Sequence, residues 1–305
     1  MIEAKNLTKV YSRGQVKAID SVSFDVQNGE IVGFVGLNGA GKTTSIRVAS
    51  GVSLPTSGTV LLDGHDISSD KVAASKTVGW VPEFPNFEQN TRAKDLILYF
   101  AGFYGLDRES AGKRAQELFN ALSLGGFEKK KLRTYSQGMK KRFSLAASML
   151  PDPQNYLFDE ILNGLDPEGV QFMRNLMVEL KKRNKAVLLS SHILSEIENI
   201  SDRVVFIHKG KIIKIATRDE LSGVSTSAGG ILKIVASNMT DSGMTYLHSQ
   251  GEVRVEGNVT ILSNFHGDSS SVNAELVRMG IAVHELSFEK ASLEDYFFKL
   301  IGDKK

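Results

Sequence analysis

A fully apolar run that stops dead in glycines constrains this chain more than any other feature. Ile31-Val32-Gly33-Phe34-Val35 reads as a buried strand, and Gly36-Leu37-Asn38-Gly39-Ala40-Gly41-Lys42-Thr43-Thr44 follows it without a gap. The spacing fits G-x-x-x-x-G-K-[ST] through Gly36, Gly41, Lys42 and Thr43. Gly36, Gly39 and Gly41 allow the backbone to curl until successive N–H groups point inward, where a Cβ would intrude. Residues 43–50 contain no breaker and are expected to form a helix whose N-terminus adds partial positive charge. Lys42 is long enough to reach β- and γ-phosphates as a point charge, and the Thr43 hydroxyl can ligate Mg²⁺. Strand, loop and helix in this order imply a nucleoside triphosphate site built from 36–44, with Asn38, Ala40 and Thr44 as further contacts.

Such a site needs a carboxylate at the end of a neighbouring strand. Asn155-Tyr156-Leu157-Phe158-Asp159-Glu160 supplies an apolar strand running into two acids. Asp159 is expected to hold the metal through water and Glu160 to polarise an attacking water. An adjacent acid pair points to hydrolysis, because binding alone requires no base. Further on, Ser190-Ser191-His192 closes the next apolar strand. An imidazole there can contact the γ-phosphate, although a lone histidine also fits a structural role.

The rest of the chain divides in two. Short extended runs (Ile2–Ala4, Leu7–Tyr11, Ser21–Val26) precede the glycine loop and suggest antiparallel strands ahead of a parallel core. A helical pattern occupies about 86–123, where Leu96, Tyr99, Phe100 and Phe103 share one helix face and are expected to face a core. Strand-helix-strand rhythm then fills 155–216, as in a mainly parallel, covered sheet. Residues 222–230 (SGVSTSAGG) have linker composition. Beyond them an extended segment, a helix, a hairpin around Gly257-Asn258, a helix, an extended segment and a last helix predict a small ferredoxin-like α+β domain.

Composition sets limits. At 305 residues two domains are expected, and 41% hydrophobic with 24% charged residues excludes a disordered chain. With 37 Lys+Arg against 35 Asp+Glu, the net charge of +2 does not suggest a nucleic-acid binder. No run approaches the ~20 apolar residues of a membrane span. The opening MIEAKNLTKVYSRG lacks the apolar stretch of a signal peptide. With no cysteine, disulfides, thiolate zinc sites and cysteine catalysis are excluded, and a cytoplasmic address is expected.

Together and in this order, the pieces resemble the ATP-binding cassette (ABC) family. The discriminating segment is Tyr135-Ser136-Gln137-Gly138-Met139, which precedes Asp159 and opens a helix with Lys140-Lys141-Arg142. It is similar to the family signature L-S-G-G-Q, keeping Ser136 and Gly138. Ser136 as N-cap of a free helix N-terminus makes a second anion site. The resemblance implies that Ser136, Gln137 and Gly138 complete the ATP site of an opposite subunit. It also implies that Tyr11 stacks on adenine, that Val16 packs the base edge and that Glu83 stands where the family has a glutamine near Mg²⁺. In the same way Gly164-Leu165-Asp166 matches the loop that crosses the dimer interface, and His192 matches the switch histidine. Ile161-Leu162 replaces the usual Pro-Thr. The implied fold is α/β: a P-loop NTPase cassette over 1–220, with an antiparallel β subdomain, a parallel core and a helical subdomain near 86–150. A linker at 221–230 and a C-terminal ferredoxin-like domain at 231–305 follow.

Cassettes work in pairs, so a homodimer or heterodimer around two ATP molecules is implied. Two functions compete: the ATPase subunit of a transporter with a separately encoded permease, or a soluble ABC ATPase of DNA repair, chromosome organisation or translation. About 95 residues separate Lys42 from Ser136 and contain no heptads, unlike chromosome-type members. Cysteine-rich zinc modules and a second cassette are also missing. The Tyr-Ser-Gln-Gly-Met signature, the Pro-Glu at 82–83 and the compact tail look like type-two ABC exporters. The expectation is an ATPase peripheral on the inner face of the cell membrane through its permease. Segments 84–91 and 99–104 lie where the family receives the permease's coupling helix.

Overall fold

Two sheets and a helical layer place the glycine loop at a strand edge shared with the acidic pair. The computed structural model describes residues 1–11, 14–221, 230–290 and 293–302. Strands β1 (Ile2–Tyr11), β2 (Val16–Val26), β4 (Ser57–Leu62) and β5 (His65–Asp66) form an antiparallel sheet in the order β2-β1-β4-β5. The two runs read separately in the sequence are one strand, β1. Register shifts after Ala4, and Asn6 takes a left-handed φ of 49°, so the polar pair Lys5-Asn6 marks a bulge, not a break. Gly58 lies against it, where a Cβ would come 2.3 Å from the Asn6 carbonyl oxygen.

The second sheet carries the site. Its order is β10-β9-β3-β8-β7-β6, with β3 (Ile31–Val35), β6 (Val78–Val81), β7 (Asn155–Asp159), β8 (Ala186–Ser191), β9 (Arg203–His208) and β10 (Lys211–Thr217). β3 runs parallel to β8 and β9, and β7 runs parallel to β8 and β6. Every residue of β3, β7 and β8 is buried, which explains why these strands read as continuous apolar runs without alternation. Val35 pairs with Ser191 and Asp159 with Ser190. The carboxyl ends of three adjacent strands therefore meet at one edge, where open α/β sheets bind ligands. Helix α1 (Lys42–Ala49) packs Ile46, Val48 and Ala49 into a core shared with Phe24, Phe34 and Leu188, the two phenylalanine rings 5.1 Å apart.

Helices α2 (Lys71–Lys76), α3 (Ala93–Phe103), α4 (Arg108–Ala121), α5 (Gln137–Met149), α6 (Pro167–Lys182) and α7 (Leu194–Ile200) complete the larger unit. Of the apolar stripe expected to face a core, Leu96 does so and Phe100 is half-buried, but Tyr99 and Phe103 are not. Tyr99 is 64% and Phe103 67% exposed, while Ala93, Leu96, Ile97 and Ala101 are buried. That buried face packs against α4 and α5, whose Phe119 and Phe143 supply the buried rings there. Trp80, the single tryptophan of the chain, packs from β6 against the core, and with Pro82, Phe87, Phe100, Phe103 and Tyr104 it borders an apolar groove.

The contacts divide the chain into compact units at Met1–Ile215 and Ala216–Lys305. The smaller contains β11 (Gly230–Ser237), α8 (Asp241–Gln250), β12 (Glu252–Glu256), β13 (Val259–Phe265), α9 (Ser269–Arg278), β14 (Ala282–Lys290) and α10 (Leu293–Ile301). Its sheet order is β12-β13-β11-β14, with every pairing antiparallel, the ferredoxin-like arrangement expected from the element order. The hairpin turns at Gly257-Asn258, where Gly257 has a φ of 61° and Glu256 faces Val259. Leu232, Ile234, Leu247, Leu262, Phe265 and Leu276 form its core. The proposed linker falls almost wholly on 222–229, outside the described residues.

Candidate nucleotide site

The glycine loop is shaped by close approach. A Cβ on Gly36 would lie 2.3 Å from the Ile207 carbonyl oxygen, and one on Gly41 2.8 Å from that of Ala18. Gly39 and Gly41 have φ values of 78° and 112°, which L side chains rarely adopt. The loop thus turns inward as a cradle that larger residues would fill. Lys42 is 5% exposed, and its Nζ donates to the Gly36 and Leu37 carbonyls at 2.6 and 3.3 Å. It also pairs with Glu160 Oε1 at 3.2 Å.

Beside it, Thr43 Oγ1 donates to Asp159 Oδ1 at 3.1 Å, and Ser190 Oγ donates to the same oxygen at 2.8 Å. Burial raises the Asp159 pKa, the two hydroxyls oppose that rise, and the charges of Glu160 and Glu83 add to it. Glu160 sits one residue past the strand with a left-handed φ of 50°. Its N–H donates to Ser190 Oγ at 3.0 Å. Its Oε2 accepts from Asn163 Nδ2 at 3.0 Å and from the His192 N–H at 3.3 Å, and lies 2.8 Å from His192 Nδ1. An ionised carboxylate can only accept, so Nδ1 carries the proton in this pairing. Burial works against the Glu160 charge, but the His192 hydrogen bond and Lys42 outweigh it and hold the pKa below the usual value. Two adjacent acids are thus driven apart: Asp159 toward the proton, Glu160 away from it.

One polar cleft of about 240 Å³ gathers Ala18, Asn38, Gly39, Gly41, Lys42, Thr43, Thr44, Glu83, Glu160, Asn163 and His192. Asp159 stands behind Thr43 at 2% exposure, and Ala40 is buried with its carbonyl accepting from the Gly210 N–H at 2.9 Å. Tyr11 faces Val16 across the first hairpin and carries Lys9 Nζ 5.1 Å from its ring centroid; neither Tyr11 nor Val16 lines the cleft. Ser136 caps α5 by accepting from the Met139 N–H at 3.2 Å and is exposed with Gln137, so the signature stands apart from this cleft. Asp166 caps α6, accepting from the Gly169 N–H at 3.0 Å.

Comparison with known proteins follows the same motifs. The sequence profile of the ABC transporter family matches residues 19–163. The chain is 34% identical over 310 residues to the bacitracin transport ATP-binding protein BcrA of Bacillus licheniformis, covering 99% of this chain and 97% of that one. The chain belongs to the ABC transporter family. It is also 28% identical to the linearmycin resistance ATP-binding protein LnrL of Bacillus subtilis, over 99% of this chain and 98% of that one. A solved ATP-binding subunit of an ABC transporter superposes with a TM-score of 0.68 at 28% identity, over 73% of this chain and 92% of that one. A bacterial ABC transporter cassette solved as a dimer shares the fold, with a TM-score of 0.66 at 23% identity.

As an ABC ATPase, this chain binds ATP and hydrolyses it in the service of transport. Among its described residues no helix is long and apolar enough to cross a membrane. Sequence reasoning missed two residues of its cleft. Asn163 had a readable signal, a polar side chain following the apolar Ile161-Leu162 three positions after Glu160. Ala18 had none, since it contributes through backbone position on β2.

Proposed function

We propose that MgATP is bound in the cleft between the glycine loop and the Asp159-Glu160 strand end and is hydrolysed with Glu160 as general base. The observation that carries this reading is the set of contacts on Glu160: Lys42, Asn163 and His192 hold an ionised carboxylate beside the phosphate cradle. A carboxyl group must be ionised to accept a proton as a base, and Glu160 is held ionised. The cradle that Cβ atoms would fill at Gly36 and Gly41 fits phosphate oxygens approaching backbone N–H groups.

Thr43 and Asp159 would hold Mg²⁺, with Glu83 near enough to approach it. No cluster of three His, Asp or Glu side chains able to hold a metal occurs among the described residues, which suits an ion taking most ligands from phosphates and water. When bound, the ion neutralises charge developing on the phosphates. Thr43 and Ser190 orient Asp159, Lys42 offers its ammonium to the phosphates, and His192 holds Glu160 through Nδ1. Tyr11 and Val16 are assigned to the adenine. Glu160→Gln should leave ATP affinity within about threefold by calorimetry while turnover falls about 10³-fold, as for loss of a general base. Hydrolysis at the wild-type rate would remove Glu160 from this role.

Ser136, Gln137 and Gly138 stand apart from this cleft, and each chain has one cradle and one signature. This supports a homodimer or heterodimer in which Ser136 of one subunit reaches the ATP of the other and Asp166 lies at the interface. The partner is proposed to be a separately encoded permease that keeps the chain at the inner face of the cell membrane, with no nucleic-acid partner. Its receiving surface is the groove beside Trp80, Phe87 and Phe100, together with Phe84, which is 79% exposed. Relatives named for bacitracin transport and linearmycin resistance favour export of a toxic compound. Co-purification of membranes with the full chain, lost on Phe84→Asp, tests the docking.

A further inference from the structure

The cleft holds more negative charge than its own cation balances. Glu160 and Glu83 line it with Lys42 as the ammonium within it, and Asp159 stands behind Thr43. A second ammonium, outside the cleft, acts on Glu83 and Glu160 through its charge. Lys141 lies on α5, in the helix that Ser136 caps, and its Nζ donates to the Ile161 carbonyl at 3.1 Å and to the Asn163 carbonyl. The Asn163 side chain in turn spends both amide hydrogens on the two acids, reaching Glu160 Oε2 at 3.0 Å and Glu83 Oε1 at 3.4 Å. Two carboxylate acceptors fix the amide orientation, since its oxygen cannot face either. That oxygen is buried without a partner, so the segment is held by what it donates and by Lys141.

We infer that Lys141 is a positioning residue for hydrolysis: its ammonium fixes the 161–163 backbone so that Asn163 bridges Glu83 and Glu160, and it balances the charge of Glu83. A cation kept half-buried against carbonyls needs a reason, because burial alone lowers the Lys141 pKa. Glu83 and Glu160 act in the opposite sense and favour the charged amine. A latch serving packing alone would be satisfied by any donor; one matched to Glu83 depends on that charge. The inference rests on Glu160 being the base.

The test is a double-mutant cycle in the full-length chain with Glu83→Gln and Lys141→Gln, read as kcat, as ATP affinity by calorimetry and as melting temperature. Lys141→Gln is expected to lower kcat about tenfold, or 1.4 kcal/mol, with ATP affinity changed less than about twofold. In the Glu83→Gln background the same change should cost less than about threefold. Equal losses in both backgrounds, or wild-type turnover in Lys141→Gln, overturn the proposal. If Lys141→Gln fails to fold, a folded double variant supports the charge pairing and an unfolded one overturns it. Glu160→Gln run alongside separates the two readings: its wild-type turnover sinks the base assignment, whereas an inactive Glu160→Gln with an additive cycle sinks only the role of Lys141.

Discussion

The two units bury very different chemistry. Among the described residues, the larger one buries Lys42, Asp159, Glu160, Lys185, Asn155 and several serines, whereas the smaller one buries Thr260 as its only polar side chain. Both have apolar cores of ordinary make-up. Buried charge is costly unless paired, and replacing it with apolar residues is often neutral or stabilising. Lys42, Asp159 and Glu160 are buried together beside the glycine loop, and the proposed hydrolysis accounts for that cost. The ferredoxin-like unit, which buries no charge among its described residues, carries no comparable site in its core. Stability and reactivity are therefore separable along this chain.

The sharpest way to break the comparison is Lys42→Ala. It removes the ammonium from the phosphate cradle and leaves Glu160 buried beside an empty position. ATP affinity should fall at least about tenfold, and the chain should lose about 3–5 kcal/mol; calorimetry and denaturant unfolding check both. Leu247→Ala, in the smaller unit, should cost about 2–5 kcal/mol by opening a cavity, yet leave ATP affinity within about twofold. A large loss of ATP binding there would end the separation.

The smallest effect concerns Ser190→Ala. Ser190 lowers the Asp159 pKa against burial, so its removal moves that pKa further up. A raised folded pKa gives stability that is present below the ordinary carboxylate value and lost as pH rises through the folded value. Without nucleotide or Mg²⁺, the variant should therefore be weaker by about 1–3 kcal/mol near neutral pH, and the gap should narrow on acidification toward pH about 4. Melting curves at several pH values give the answer; a gap that widens in acid would reverse the assignment.

Much of the site is legible in sequence because strand ends and glycines carry local signals. Val35-Gly36, Phe158-Asp159-Glu160 and Leu189-Ser190 each mark where an apolar run ends in glycine or polar residues, and the parallel sheet aligns those ends. What local pattern cannot give is a partner across the fold. Nothing nearby in the basic run distinguishes Lys141 from Lys140; only the approach of α5 to 161–163 does. The bulge in β1 lies against Gly58, about fifty residues away, so the local pattern alone reads as a break. Of the stripe on α3, Leu96 is buried as expected and Phe100 half-buried, but Tyr99 and Phe103 are exposed, because helical period does not say how far round the helix the cover extends, and Ile97 and Ala101 share the inner face with Leu96.

Trp80 gives the chain a spectroscopic handle of its own. It lies three residues before Glu83 and also borders the groove with Phe87 and Phe100. A single indole, excited apart from the seven tyrosines, can report on nucleotide and on a docked partner from one position. Emission shifts could then order those two events in time without any added label.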